Sequence, residues 1–263
     1  MTMPHAGTPE RSVVDRALSV LGAFDRQNRT LTLSDISRRS GLPLATAHRI
    51  VNKLHGWGAL ERSDEGGYSI GLRLWETGTL APRCSPLAEV AQPHLMELHA
   101  RTSAGALLVI RDRVEGLCLS FAVNGPHALM SCAESGDRVP LHASATGLVL
   151  LAHAAEAVQN EVCAGPLRAY TPTTLTHGPA LRQALAKVRR EGYAVTHRTP
   201  DPECSAVAFP VRTADGTVVA AVGVVAQADT FRPAKLLPLV SATADAVSQH
   251  IRFAGRRAAG ATA

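Results

Sequence analysis

The stretch ISRRSGLPLATAHRIVNKL, residues 36–54, decides the fold. It reads as a short helix, a turn at Gly41-Leu42-Pro43, and a second helix. Ala47, Ile50, Val51 and Leu54 recur at i, i+3, i+4 and i+7, which is one helical face. The other face carries Thr46, His48, Arg49, Asn52 and Lys53. A short helix, a glycine-containing turn and a helix with a polar, basic outer face make a helix-turn-helix, whose second helix lies in the DNA major groove.

The neighbouring residues extend this plan. Upstream, Ser12 is a plausible N-cap for a helix from Val13 to about Phe24, with Val14, Ala17, Leu18 and Leu21 as its apolar stripe. Leu31-Thr-Leu33 reads as a very short strand, and Ser34 or Asp35 as the cap of the next helix. Pro43 suits a first helical turn, where its missing N–H costs nothing. Gly56 should end the second helix of the pair, and Trp57 should pack as core. Downstream, Leu60–Arg62 and Tyr68–Ile70 alternate around Ser-Asp-Glu-Gly-Gly, a hairpin signal. Helix, short strand, helix-turn-helix and hairpin together predict a winged helix-turn-helix over residues 11–71. Residues 1–10 read as a flexible tail and 72–85 as a linker helix.

Charge supports the reading modestly. Residues 11–73 hold ten Lys/Arg against six Asp/Glu, while the whole chain of 263 residues carries a formal +5. The basic excess therefore sits around the opening stretch, and it calls for an anionic partner. On the second helix, Arg49 and Lys53 can donate to guanine or to phosphates, and Thr46 can touch a thymine methyl or a phosphate. His48 shares their face. Arg38 and Arg39 on the preceding helix, and Arg62 and Tyr68 on the wing, are phosphate candidates.

The texture changes beyond the linker. A helix from about Leu87 to Arg101 precedes strands at Ala106–Ile110 and Leu117–Val123, with a further strand at Ala128–Cys132. Ser135–Leu141 reads as a loop leading into a helix at His142–His153. Helices at Ala155–Ala164 and Pro179–Glu191 follow. Strands at Tyr193–Thr196, Cys204–Arg212 and Thr217–Val225 come next, then a closing helix from Ala234 to about Phe253. Residues 86–254 thus form one α/β domain with an antiparallel sheet, and 255–263 a tail. The overall class is α+β.

Five cysteines without a CxxC pair offer neither a metal site nor a disulfide framework, which fits a reducing cytoplasm. Residues 1–10 contain no apolar core of a signal peptide, and no apolar run approaches the roughly 18 residues of a membrane helix. The patterns GxSxG, HExxH, GxGxxG and the P-loop are absent, so an enzymatic role, a cofactor and a catalytic residue are not expected. His94 and His99, at i and i+5 on one helix, are poorly spaced for shared metal ligation. Cys204 within Asp201-Pro-Glu203-Cys204 lacks a paired base, and His142 reads as a structural histidine. The competing class is a sensor or interaction module that uses the winged helix for protein contacts; the basic excess argues against it.

Four segments taken together resemble an IclR-type transcriptional regulator. SVVDRALSVLGAFD (12–25) is similar to that family's first helix, and SDISRRSGLPLATAHRIVNKL (34–54) to its helix-turn-helix. SGDRVPLHASATGLVLLA (135–152) resembles the loop and helix that line an effector pocket. REGYAVTHRTPDPECSAVAFPVRTADGTVVAAVGV (190–224) resembles the strands that complete it. The resemblance spans about Ser12 to Phe253. It implies a GAF-like effector-binding domain after the winged helix and linker, and a homodimer or dimer of dimers on a palindromic operator. It implies dimer contacts from Val14, Leu18, Leu21, Leu72, Leu74, Trp75 and Leu80.

The resemblance also places base contacts near Leu44, Ala45, Thr46 and Arg49; the family often has Lys-Ser where this chain has Leu44-Ala45. It implies an effector pocket built by Ser144, Ala145, Thr146, Gly147, Thr196, Cys204, Ala206, Gly223 and Val225. Ala145–Gly147 sit at a helix N-terminus, which favours a carboxylate, and Ser144 and Thr146 can add hydroxyls. Where family members often carry an acidic run, this chain has Thr196-His197-Arg198-Thr199, a basic rim. Gly223 and Val225 stand where some members carry serines. The expected ligand is an organic or aromatic acid, and repression is the expected default.

Overall fold

The computed structural model describes residues 12–25, 27–81, 85–123 and 135–260, without the side chains of 85 and 253–260. It divides the chain into two units, Met1–Pro82 and Arg83–Ala263. The expected strand at 128–132 and the N-terminal tail lie outside the described residues.

In the first unit, α1 (Val13–Leu21) opens on a reciprocal cap: Asp15 N–H donates to Ser12 Oγ, and Ser12 N–H donates to the Asp15 carboxylate, each at 3.0 Å. Helix α2 (Leu33–Ser40) is capped by Thr32 rather than by Ser34 or Asp35, and ends at Gly41 in the left-handed conformation, φ 67°. That conformation turns the chain sharply into α3 (Leu44–Trp57). Val20, Ile36, Ala47, Ile50 and Val51 close the core between these helices. Strands β1 (Leu60–Arg62) and β2 (Tyr68–Ile70) pair antiparallel in the predicted hairpin, followed by α4 (Leu72–Thr79).

Three local expectations are corrected here. Leu31–Leu33 contributes a single bridge, Leu31 to Tyr68, because Leu33 already belongs to α2. Helix α3 passes Gly56 and stops at Gly58, φ 88°. Trp57 is 43% exposed rather than core; Arg73 lies over its ring at 4.5 Å and donates to its carbonyl at 3.1 Å.

The second unit is a six-stranded antiparallel sheet between two helical layers, in the order β5-β4-β3-β8-β7-β6. The strands are β3 (Gly105–Asp112), β4 (Glu115–Ala122), β5 (Arg138–Pro140), β6 (Ala194–His197), β7 (Cys204–Arg212) and β8 (Val218–Gln227). Strand alternation divides its side chains between two cores. Leu107, Val109, Ala208 and Ala221 face α6 (Ala145–Ala152), α7 (Glu156–Ala164) and α8 (Gly178–Glu191). Leu108, Ile110, Val207 and Val222 face α5 (Ser85–Thr102) and α9 (Pro233–Gly260). The expected loop at 135–141 contains β5, and α9 continues to Gly260 through much of the expected tail.

All eight residues of α6 are buried. Burying its Leu148, Val149, Leu150 and Leu151 side chains contributes roughly 6–12 kcal/mol before ordering entropy is counted. This short apolar helix is therefore fixed in place, with one end at each of two cavities described below.

Candidate DNA interface and effector pocket

The outer face of α3 presents Leu44, Ala45, His48, Arg49, Asn52 and Lys53 to solvent, with Thr46 half-buried among them. Thr46, Arg49 and Lys53 follow one another at i, i+3 and i+7, so they line one strip. Arg49 and Lys53 have no ion-pair partner among the described residues, and keep their charge for a ligand. His48 Nε2 lies 3.2 Å from Asn52 Nδ2. Pro43 supplies no side-chain cap, so the first-turn N–H groups of α3 have no acceptor within the helix. At the Leu44-Ala45 tip, backbone donors thus remain where the side chains offer none.

The other DNA candidates separate. Arg38 is largely exposed but paired with Asp35 at 2.7 Å. Hydrogen bonds from Thr32 and then Arg38 hold the Asp35 carboxyl below the usual carboxylate range. Arg39 donates to Ala23 O at 2.6 Å and pairs with Asp25, so its guanidinium ties α2 to the loop after α1 while staying partly exposed. Arg62 is exposed, with its guanidinium 5.8 Å from the Tyr68 ring centre. Tyr68 itself is 5% exposed and belongs to the core, because the bridge to Leu31 folds the hairpin onto the helices.

In the second unit, a cavity forms between the N-terminus of α6 and strands β6, β7 and β8. Ser144, Ala145, Thr146, Thr196, Cys204, Ala206, Gly223 and Val225 line it together. Gly147 does not; a Cβ there would come within 2.6 Å of Leu141 Cα and Pro140 O, so the glycine serves close packing of the helix against β5 and its loop. Leu107, Val139, Thr199, Pro200 and Ser205 also line the cavity and were not foreseen. Of these, only Thr199 carried a signal in the sequence, as the last residue of the quoted rim Thr196–Thr199.

The chemistry of the cavity is neutral: among the described residues no charged side chain lines it. Ser144 Oγ donates to Pro140 O at 2.8 Å and accepts from Gly147 N–H at 3.1 Å, so it caps the helix and is not a free ligand donor. That leaves the N–H groups of Ala145 and Thr146 without an acceptor inside α6. Thr196 Oγ1 is buried with no hydrogen-bond partner among the described residues. Thr199 donates to Ala143 O at 3.2 Å and joins a threonine cluster through Thr174. The space left open is about 30 Å³, room for about one water.

The basic rim is also corrected. Arg198 pairs with Asp229 at 2.6 Å and donates to Pro202 O, while His197 rests edge-on against Phe231. Cys204 is disulfide-bonded, which overturns the expectation of no disulfide; Cys118 and Cys163 are buried free thiols. His142 is nearly buried and hydrogen-bonds Arg168 O at 3.0 Å, a structural arrangement. No group of three or more His, Cys, Asp or Glu that could hold a metal occurs among the described residues.

Residues 13–64 match the IclR helix-turn-helix domain, and residues 83–249 match the C-terminal domain of the bacterial transcriptional regulator IclR. The chain belongs to the IclR family of transcriptional regulators. It is 34% identical to the HTH-type transcriptional regulator XynR of Escherichia coli K12 over 210 residues, 79% of this chain and 83% of that one. It is 27% identical to the HTH-type transcriptional repressor AllR of the same organism, over 80% of this chain and 78% of that one.

The crystal structure of an IclR homolog from Microbacterium hydrocarbonoxydans complexed with 4-hydroxybenzoate superposes with a TM-score of 0.85. It shares 32% identity and is matched over 92% of this chain and 100% of its own. A regulator from Rhodococcus sp. RHA1 superposes with a TM-score of 0.78 at 27% identity, over 92% and 98%. IclR-family proteins are DNA-binding regulators and not enzymes. Among the described residues, no helix is long and apolar enough to cross a membrane.

Proposed function

We propose that this IclR-family protein is a repressor whose operator affinity is set by a small organic or aromatic acid. Residues 11–71 serve as the DNA-reading domain, 72–85 as the linker and 86–254 as the GAF-like effector domain. It works in the cytoplasm as a homodimer, or a dimer of dimers, that presents paired α3 helices to a palindromic operator.

The observation that carries the effector reading is the set of unanswered donors in one cavity: Thr196 Oγ1 and the N–H groups of Ala145 and Thr146. A carboxylate accepts from all three and also meets the positive end of the α6 dipole. The apolar wall of Leu107, Val139 and Val225 suits the body of an aromatic or aliphatic acid. The relative bound to 4-hydroxybenzoate supports this choice of class.

Exposed apolar side chains support the dimer. Val14 and Leu18 on α1, and Leu72 and Trp75 on α4, stand out of the first unit, Trp75 at 66% exposure. A contiguous partner surface would cover them. An acid changes operator affinity only through different affinity for the two arrangements of the paired DNA-reading domains.

Two measurements test the reading. Fluorescence anisotropy with DNA upstream of the protein's own gene should show binding that weakens steeply with salt. Calorimetric titration should show uptake of carboxylates, with benzoates among them, and addition of the bound acid should shift the anisotropy curve. Binding of only neutral or cationic compounds would refute the acid. Absence of DNA binding with and without acid would put the protein-contact reading of the winged helix ahead.

A further inference from the structure

The opposite end of α6 opens on a second cavity of about 750 Å³, lined by Ala152, His153, Gln159, Arg182, Arg189 and Arg212 among others. Three guanidinium groups converge there from two elements, Arg182 and Arg189 from α8 and Arg212 from the end of β7. None of the three is ion-paired among the described residues. Among the described residues the one acid in the lining is Glu156, so that lining keeps a net positive charge.

The arginines are held by neutral acceptors. Arg189 donates to Ala152 O at 3.2 Å and to Gln159 Oε1 at 3.3 Å. Arg212 donates to Gly216 O and lies 3.0 Å from His153 Nε2. His153 Nδ1 is 2.9 Å from Val149 O, a carbonyl that can only accept; Nδ1 therefore carries the proton and Nε2 accepts from Arg212. Burial and then the two arginines hold this imidazole below its ordinary pKa, which agrees with the neutral form. Both guanidiniums are thus fixed in direction while their charge stays uncompensated. Arg182, two turns from Arg189 on the same face of α8, makes no side-chain hydrogen bond at all among the described residues. Helix α7 adds its own uncapped N-terminus, with Ala154 and Glu156 in the lining.

A guanidinium positioned by neutral groups is poised for a bidentate oxyanion, and three of them around one cleft suit a ligand with at least two negative charges. We infer that this cleft is a second ligand site, distinct from the effector pocket, that binds a polyanionic metabolite carrying phosphate or several carboxylates. The inference does not depend on the effector reading, since the cleft shares no lining residue with the other cavity.

The test is calorimetric titration of the full-length protein with inorganic pyrophosphate and, separately, with citrate, at physiological salt. Saturable binding of at least one anion is expected, and the stronger of the two names the source of the charge. Arg182→Glu, which disturbs no hydrogen bond, should abolish that binding with the melting temperature unchanged. Arg189→Ala should weaken it at least tenfold. Lack of saturable binding to either anion at millimolar concentration overturns the inference, as does binding that survives Arg182→Glu and Arg189→Ala. Loss of operator binding in Arg182→Glu without any anion uptake by the parent protein also overturns it, and makes the cleft a DNA contact.

Discussion

Replacing Thr196 by Val should push two measurements in opposite directions. Valine keeps the shape and strand preference of threonine and removes the hydroxyl that is buried without a partner among the described residues. Leaving such a group unsatisfied costs about 1–3 kcal/mol. One water can occupy the open space of about 30 Å³ and recover part of that cost, so the lower half of the range applies. Thr196→Val should therefore stabilise the ligand-free protein by about 1 kcal/mol, which raises the melting temperature of a domain of this size by about 2–4 °C. The same change removes a hydrogen bond to the carboxylate, about 1.5–3 kcal/mol, and weakens acid binding about tenfold or more. Differential scanning calorimetry reads the first effect and isothermal titration the second. A variant that melts lower, or that binds the acid as tightly as its parent, refutes the assignment of Thr196 Oγ1 as a waiting ligand donor.

Arg49→Ala should cost about 1–3 kcal/mol of operator binding and relax base preference, while Lys53→Ala should mainly reduce the slope of binding against salt by about one; parallel anisotropy titrations separate the two roles. Gly223→Ala should destabilise the second unit by about 1–3 kcal/mol in thermal melts, since the added Cβ would lie 2.8 Å from Thr146 Cγ2 and 3.2 Å from Val207 O. Unchanged stability would mean that α6 can move away from β8. His153 is held below its ordinary pKa, so on acidification the unfolded chain takes up its proton first. Its contribution is intact above the ordinary histidine range and is lost as pH falls through it. His153→Gln, whose amide can keep both hydrogen bonds, should flatten that fall in melts taken across the range; an unchanged slope refutes the assignment.

The sequence displays what depends on local pattern. Helix α3 follows from its apolar spacing, the hairpin from its turn residues, and β7 from its uninterrupted run, whose bounds match the structure at Cys204 and Arg212. What escaped it depends on partners distant in the chain. Trp57 looks like core until Arg73 covers it from sixteen residues away. Arg39 reads as a free surface cation until Ala23 O and Asp25 engage two of its donors. Tyr68 looks like a wing surface until Leu31 bridges it. Leu107 and Val139 join the effector pocket through sheet order, which no single stretch encodes. The arginine cleft escaped for the same reason: Arg182, Arg189 and Arg212 meet only once α8 and β7 both pack on α6.

The narrowness of the effector pocket has a kinetic meaning. For the proposed acid, a cavity with room for about one water among the described residues would require an opened conformation for entry. Its apparent affinity would then be the intrinsic one reduced by the population of that open form. Association is limited by how often the pocket opens rather than by diffusion. Release waits on the same opening. Under the proposed acid control, a regulator of this construction would average its metabolite over the lifetime of the closed complex, so that brief fluctuations in concentration would leave transcription unchanged.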